Sequence, residues 1–274
     1  MANQVSVAIS ALRYTLMLAP VSDAALAREL ALRAGALLLA LRASACGVSA
    51  MDPRALGDAG DAQANTLLLD ALASARPDDA VLSEESADDL QRLQARRVWI
   101  IDPLDGTREF REGRDDWAVH VALVAEGRVI AAAVSQPARD EVFDSNPSTA
   151  ATAASGSPAP RVVISRSRPP RCAQDIAEAL GATLWQVGSA GAKALTVVRG
   201  EALAYVHEGG MNEWDAAAPV GVALAHGLHV SDLHGEPITF NQRDVVLHEG
   251  LIICRKQLAN LTLSVLADFV KRPR

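Results

Sequence analysis

Two aspartates three residues apart, Asp102 and Asp105, follow the apolar run Trp99-Ile100-Ile101, and Gly106 and Thr107 come directly after them. Carboxylates placed in an apolar setting are costly unless a cation or metal pairs with them. An all-oxygen donor set suits a hard divalent ion, most simply Mg2+. Such an ion beside a phosphate-sized space implies metal-assisted phosphoester hydrolysis. Three further acidic positions fall at element boundaries: Asp61, Glu84-Glu85 and Asp215. Singly, each has a plainer explanation. Asp61, in Asp58-Ala59-Gly60-Asp61, reads as a helix N-cap. Glu84-Glu85 reads as a solvated turn, and Asp102-Pro103 as a turn starter. Asp215 reads as a first-turn charge favoured by the helix dipole. Two carboxylates joined to Gly-Thr exceed what a turn requires, because a turn needs only one Asp.

The chain that must position these residues has 274 of them, half hydrophobic, with a formal net charge of −7. That charge disfavours a nucleic-acid or anionic-membrane binder, which needs a basic face. It leaves room for a local basic pocket that takes a small anion. Cys46, Cys172 and Cys254 are far apart, odd in number and without metal spacing, so reduced, inert thiols in a cytoplasmic protein are expected. No apolar run is long enough to span a bilayer. Residues 1–20 read as a loosely attached extension rather than a secretory signal, since their start carries no positive charge.

Periodicity predicts long amphipathic helices over 23–43 and 62–75, the second broken by Arg76-Pro77-Asp78-Asp79. Short strands are expected at 80–83 and 97–101, a hairpin at 117–124 and 128–135 around Glu126-Gly127, and a strand at 141–143. The Ser/Thr/Ala/Gly/Pro stretch 145–160 reads as a linker. Beyond it, strands fit 161–165, 183–187, 202–206, 228–231 and 250–254. Helices fit 171–180, 190–199, 214–226 and 256–269, and this alternation implies an α/β half. The acidic motifs therefore gather where strands end. Trp117 and Trp185 are expected in the core, and His226, His229, His234 and His248, which lack ligand spacing, are read as structural.

Glu84-Glu85-Ser86, Asp102-Pro103-Leu104-Asp105-Gly106-Thr107 and Trp214-Asp215-Ala216-Ala217-Ala218, in this order and at these separations, resemble the inositol monophosphatase-like superfamily of Mg2+-dependent, lithium-sensitive phosphatases. The resemblance covers roughly residues 23–270. It implies an α/β fold: a layered α/β/α/β/α sandwich with an α+β half over 21–150, an α/β half over 160–274, and the active site between them. It implies that Glu84, Asp102 and the Leu104 carbonyl hold one Mg2+, and that Asp102, Asp105 and Asp215 hold a second. A third ion would be held through water by Glu84. Thr107 and Asp61 would orient and deprotonate the attacking water, with Glu85 just behind the ligands. The Gly106-Thr107 amides would cradle the phosphate at a helix start. One departure stands out. The family's Val-Thr-x-x-Asp is here Leu56-Gly57-Asp58-Ala59-Gly60-Asp61, without the threonine, and Met51-Asp52-Pro53-Arg54 replaces the usual lysine-containing loop.

Within the superfamily, Arg108-Glu109-Phe110 resembles the Lys/Arg-Glu-Phe of the CysQ-type 3′(2′),5′-bisphosphate nucleotidases rather than the x-Asn-Phe of inositol monophosphatases. Asp115-Asp116-Trp117-Ala118-Val119-His120, Ser165-Arg166-Ser167-Arg168 and Gly188-Ser189-Ala190-Gly191-Ala192-Lys193 resemble that branch too, especially its actinobacterial form. The implied substrate is 3′-phosphoadenosine 5′-phosphate (PAP), cleaved to AMP and phosphate, with 3′-phosphoadenosine 5′-phosphosulfate as a second substrate, in the service of sulfate assimilation. Its second phosphate needs cations away from the metals. Gly188, Ser189, Lys193, Ser165, Arg166, Arg168 and His207 are the candidates, and Glu213 is placed to accept a ribose hydroxyl. Lys193 sits on the first turn of its helix, where the dipole disfavours a cation, and that supports a ligand role. The alternatives are a same-fold phosphatase for inositol phosphate, fructose 1,6-bisphosphate or NADP, and a nucleotide or metal sensor that does not turn over. A sensor has no use for a water-activating pair. Members of the family are often homodimers, and some are monomers.

Overall fold

The computed structural model describes residues 21–45, 52–146 and 159–270. The expected extension 1–20, Cys46 and most of the expected linker lie outside the described residues.

The chain enters through α1 (Asp23–Ala45), whose Leu26, Leu30, Ala34 and Leu38 face inward at helical spacing. Helix α2 (Pro53–Ala75) starts under the carboxylate of Asp52, which accepts from the Arg54 and Ala55 N–H groups, with Pro53 pre-set for the first helical position. The predicted start at 62 is therefore corrected, and Asp61 is no N-cap but lies two turns inside the helix. Gly57, Asp58 and Gly60 break the apolar periodicity that would have signalled the first two turns. The two glycines are buried because neighbouring chain packs directly on them.

A five-stranded sheet follows, made of β1 (Ala80–Ser83), β2 (Arg97–Asp105), β3 (Ala118–Ala125), β4 (Arg128–Gln136) and β5 (Glu141–Asp144), in that order across the sheet. Strands β1 and β2 are parallel and the remaining pairs antiparallel. Strand β2 runs on to Asp105 rather than ending at 101. Its register with β3 shifts between Asp102 and Asp105, and a bulge there re-aims both carboxylates. The β3–β4 turn places Glu126 and Gly127 both at positive φ, the conformation a tight two-residue hairpin demands. Helix α3 (Thr107–Arg111) opens directly after β2, with Gly106 at φ +90°.

The second sheet has the order β10 (His229–Ser231), β12 (Leu251–Cys254), β8 (Ala204–His207), β6 (Arg161–Ser165), β7 (Thr183–Val187). Strands β7, β6 and β8 are parallel, as α/β alternation predicts, and β12 and β10 add antiparallel at one edge. A small ribbon pairs β9 (Met211–Asn212) with β11 (Val246–Leu247). The helices of this half are α4 (Ala173–Ala179), α5 (Ala190–Val198), α6 (Glu213–Ala225) and α7 (Ala259–Val270).

Three apolar clusters show the layering. One joins α1 and α2 to the outer face of the first sheet. A second fills the space between the two sheets around α5 and α6. The third packs α4 and α7 on the far face of the second sheet. The result is the expected five-layer α/β/α/β/α sandwich. Trp117 is fully buried and Trp185 half-buried, and Cys172 and Cys254 are buried free thiols. Among the described residues, no helix is long and apolar enough to cross a membrane.

Candidate active site

Asp102 and Asp105 at the end of β2 and Asp215 in the first turn of α6 offer carboxylate oxygens that all lie within 4.8 Å of one another. Asp102 is 1% exposed, and its Oδ1 accepts the Leu104 N–H at 3.0 Å, which locks the bulge. Glu84, just beyond β1, reaches in from the solvent edge and its carboxyl meets that of Asp102. Burial, then the charges of Glu84, Asp105 and Asp215, hold Asp102 well above the usual carboxylate range. Loss of solvent around its carboxyl, then the charge of Asp215, push Glu84 up to about 7. Asp215 is also raised, by burial and by Asp105, while its Oδ2 accepts the Asn212 N–H at 2.8 Å. So Asp215 caps its helix and faces the cluster at once.

Asp105 goes the other way. Burial would raise it, but the His120 imidazole, Lys193 and the Gly191 N–H outweigh burial and hold it low. Its Oδ1 accepts the Ala190 N–H at 3.2 Å and its Oδ2 the Gly191 N–H at 2.7 Å, both at the start of α5. Buried carboxylates converging with oxygen donors only, two of them forced to share space, form a set that a proton or a hard cation must neutralise. The residues present fit Mg2+.

Asp61 and Thr107 meet beside this cluster. Thr107 Oγ1 lies 3.4 Å from Asp61 Oδ1 and 3.3 Å from the Leu104 carbonyl oxygen. Burial, then the charges of Glu85 and Glu84, push Asp61 up to about 7. Glu85 itself is exposed, and its turn is held by Asn65. The Asn65 amide accepts from Ser83 Oγ at 2.7 Å and donates to Ser86 Oγ at 3.2 Å. Asn65 lies one helical turn beyond Asp61, so α2 sets both the dyad and the Glu84-Glu85 turn.

On the other side of the cluster a cavity of about 200 Å³ is lined by Gly106, Arg108, Ser165, Arg168, Ser189 and Lys193, among others. Most of the expected substrate contacts have partners within the protein. Arg166 is not turned to the cavity but bonded to Glu109 at 2.6 Å and Glu112 at 2.9 Å, so the two motifs that point to the nucleotidase branch grip each other. Ser189 Oγ caps α5 by accepting the Ala192 N–H at 3.0 Å. Lys193 is buried, donates to the Gly188 and Ser189 carbonyls, and packs over the Tyr205 ring. Burial brings its pKa down to about 8. Glu213, expected near a ribose hydroxyl, is 1% exposed and accepts the Asn241 and Gln242 N–H groups, both at 2.7 Å. Both its oxygens are thus occupied in anchoring a loop. Gly188 donates its N–H to Asp116, and Glu109 packs so close that no side chain fits there. Ser165 accepts the Arg168 N–H. His207 lines the cavity and its Nδ1 accepts from Gly209 N–H, which leaves Nε2–H as a donor. Burial, then Lys193 and Arg168, depress it to about 4.

Sequence reasoning missed Asn65 and Tyr205 and gave Asp116 and His120 no role beyond their place in the Asp115-to-His120 motif. Asn65 and Tyr205 lie in no motif, and the motif names Asp116 and His120 without the contacts they make.

The chain is 50% identical over 262 residues, 91% of this chain and 95% of the relative, to a protein of Mycobacterium leprae named 3′-phosphoadenosine 5′-phosphate phosphatase. It is 32% identical over 202 residues, 70% and 82% of the two chains, to the 3′(2′),5′-bisphosphate nucleotidase CysQ of Escherichia coli K12. The crystal structure of CysQ from Bacteroides thetaiotaomicron superposes with a TM-score of 0.71 over 86% of this chain and 98% of that one, at 22% identity, a likeness of fold. The profile of the inositol monophosphatase family matches residues 21–270. By sequence, fold and acidic cluster alike, the chain belongs to the inositol monophosphatase family.

Proposed function

We propose that the chain is a Mg2+-dependent phosphatase that hydrolyses the 3′-phosphate of PAP to give AMP and phosphate. The observation that carries this reading is the convergence of Asp102, Asp105 and Asp215 next to the Asp61–Thr107 pair. The names of its relatives in Mycobacterium leprae and Escherichia coli support the substrate. Glu84, Asp102 and the Leu104 carbonyl would hold one Mg2+, and Asp102, Asp105 and Asp215 a second, with Glu84 helping to hold a third through water. Bound there, Mg2+ lowers the pKa of water and neutralises charge on the transferring phosphoryl group.

The chain's own residues do the rest. Thr107 Oγ1 holds the attacking water and passes its proton toward Asp61. Burial, the first cause of its raised pKa, makes the Asp61 carboxylate a better proton acceptor than an exposed one. The new P–O bond forms as the P–O3′ bond breaks, the 3′-oxygen takes a proton from solvent water as it leaves, and Asp61 returns its proton to solvent. The N–H groups of Gly106 and Thr107 at the start of α3 face the phosphate. The cavity is smaller than the ~300 Å³ of an ordinary ligand pocket, so it takes phosphate and ribose while the base lies at its mouth. Arg168 and the His207 Nε2–H supply donors for the second phosphate.

Phosphate release from PAP, inositol 1-phosphate and fructose 1,6-bisphosphate, each with Mg2+ and with EDTA, tests the reading. The expected result is Mg2+-dependent turnover with a preference for PAP of about tenfold or more in kcat/KM, about 1.4 kcal/mol in the transition state. Equal or faster turnover of the sugar phosphates would overturn the nucleotide assignment. Turnover that survives EDTA would overturn the metal assignment.

A further inference from the structure

We propose that His120 is the positioning residue that fixes Asp105 and Asp215 relative to one another. The inference rests on reading the acidic cluster as a metal site. His120 lies in the middle of β3, fully buried, on the face that meets α5 and α6. Its Nδ1 is 3.0 Å from the carbonyl oxygen of Trp214, the residue before Asp215. A carbonyl only accepts, so Nδ1 carries the proton of that bond. Its Nε2 stands 3.1 Å from Asp105 Oδ2. One rigid ring thus touches both elements whose carboxylates must converge, the end of β2 and the start of α6.

The surroundings are built around this ring. A Cβ at Gly191 would stand 2.2 Å from His120 Nε2, so the absence of a side chain at the start of α5 makes room for the imidazole. The same glycine donates its N–H to the oxygen of Asp105 that faces His120. Asp105 is therefore held by two N–H donors of α5 with the His120 ring against the same oxygen, and only His120 reaches on to α6. A leucine or phenylalanine would fill the space with apolar volume but fix neither carboxylate. Groups that orient metal ligands in this way are worth about 10- to 100-fold in metal affinity.

Two substitutions separate the ring's contacts. His120→Asn keeps a donor near the Nδ1 position for the Trp214 carbonyl and withdraws from Asp105. His120→Gln reaches toward Asp105 and gives up the Trp214 bond. The experiment is calorimetric titration of the full chain and both variants with Mg2+ alone, with thermal unfolding in EDTA beside it. The expected result is Mg2+ binding weakened about 10- to 100-fold in both variants. At saturating Mg2+, KM for the phosphoester stays at the wild-type value while kcat falls. Wild-type Mg2+ affinity in variants with a lowered Tm would make His120 a packing residue and overturn the proposal. Should His120→Asn not fold, His120→Gln, closer to the ring in volume, decides the question alone. A wild-type chain that binds no Mg2+ would overturn the metal reading as well, an outcome distinct from equal binding by all three proteins.

Discussion

Asp102 and Asp105 are three residues apart and equally hidden, yet their environments pull them in opposite directions. Burial and three neighbouring carboxyls raise Asp102, whereas around Asp105 burial is outweighed by His120, Lys193 and the start of α5. Asp105 is therefore a fixed charge, and Asp102 is the group whose ionisation waits for a cation. Replacing Asp102 by Asn removes a repelled carboxyl while nearly keeping its shape. Sites arranged for function often give up stability in this way. We expect Asp102→Asn to abolish phosphate release and to raise Tm in EDTA by about 2–4 °C, the shift that about 1 kcal/mol gives at this chain length. Phosphate assay and thermal unfolding check both halves, and retained turnover would remove Asp102 from the site. Asp61→Asn, by contrast, leaves the acidic cluster intact and takes away the proton acceptor. It is expected to lower kcat by about 10²–10⁴, the usual worth of a positioned base, with Mg2+ affinity unchanged by calorimetry.

Helix α2 is the element on which the dyad depends. It can approach α3 closely because Gly57 has no side chain. A Cβ there would stand 2.8 Å from Thr107 Cγ2 and 2.7 Å from Arg111 Cδ. The arginine can swing away, but Thr107 is held between Asp61 and the Leu104 carbonyl. Gly57→Ala should gain about 1 kcal/mol in helix propensity and lose about 1–3 kcal/mol to overpacking. Net stability then falls by at most about 2 kcal/mol, while Thr107 is pushed from Asp61 and kcat drops about tenfold, a loss of ~1.4 kcal/mol. Steady-state kinetics with Tm measured alongside separates the two effects. This helix also shows where the sequence stops being legible. The Asp102-to-Thr107 motif and the strand-end placement of the carboxylates could be read from the chain, because apolar runs and short motifs encode them locally, whereas the five layers followed only from the resemblance to the family. The first two turns of α2 could not, since their glycines serve a tertiary contact and blank out the periodicity. For the same reason Arg166 read as a free cation in Ser165-Arg166-Ser167-Arg168, although its partner Glu109 waits in α3. His120 was legible only as the last residue of the Asp115-to-His120 motif, because its role lies in contacts among three elements distant in sequence.

The whole molecule gathers these carboxyls at the edge of one sheet and the start of one helix, and that sets how its stability responds to pH. Asp61 and Glu84 are raised to about 7, and Asp102, Asp215 and Glu213 are raised as well, burial being the first cause in each. In the unfolded chain such groups titrate near ~4. Between about pH 4 and 7 the folded protein therefore holds protons that the unfolded chain has released, and stability falls as pH rises through that window. His120, raised against burial by Asp105, adds in the same sense above its ordinary value. Carboxyls held low, such as Asp105 and Asp116, act only below about pH 4. Lys193, lowered to about 8, acts only above that, and His207, depressed to about 4, works in the opposite sense between about pH 4 and 6.5 but is outnumbered by the raised carboxyls. In EDTA the Tm should thus be highest near pH 5 and decline toward pH 8. Mg2+ reverses the trend, because it binds the deprotonated carboxylates and competes with protons for them. Its stabilisation should be slight at pH 5 and grow to several degrees at pH 8, in line with ligand linkage. Thermal unfolding at intervals from pH 5 to 8, with EDTA or saturating Mg2+, measures both curves. A Tm in EDTA that is flat or rises with pH would mean that these carboxyls are not crowded in the folded chain, and the case for a cation-demanding cluster would fall with it.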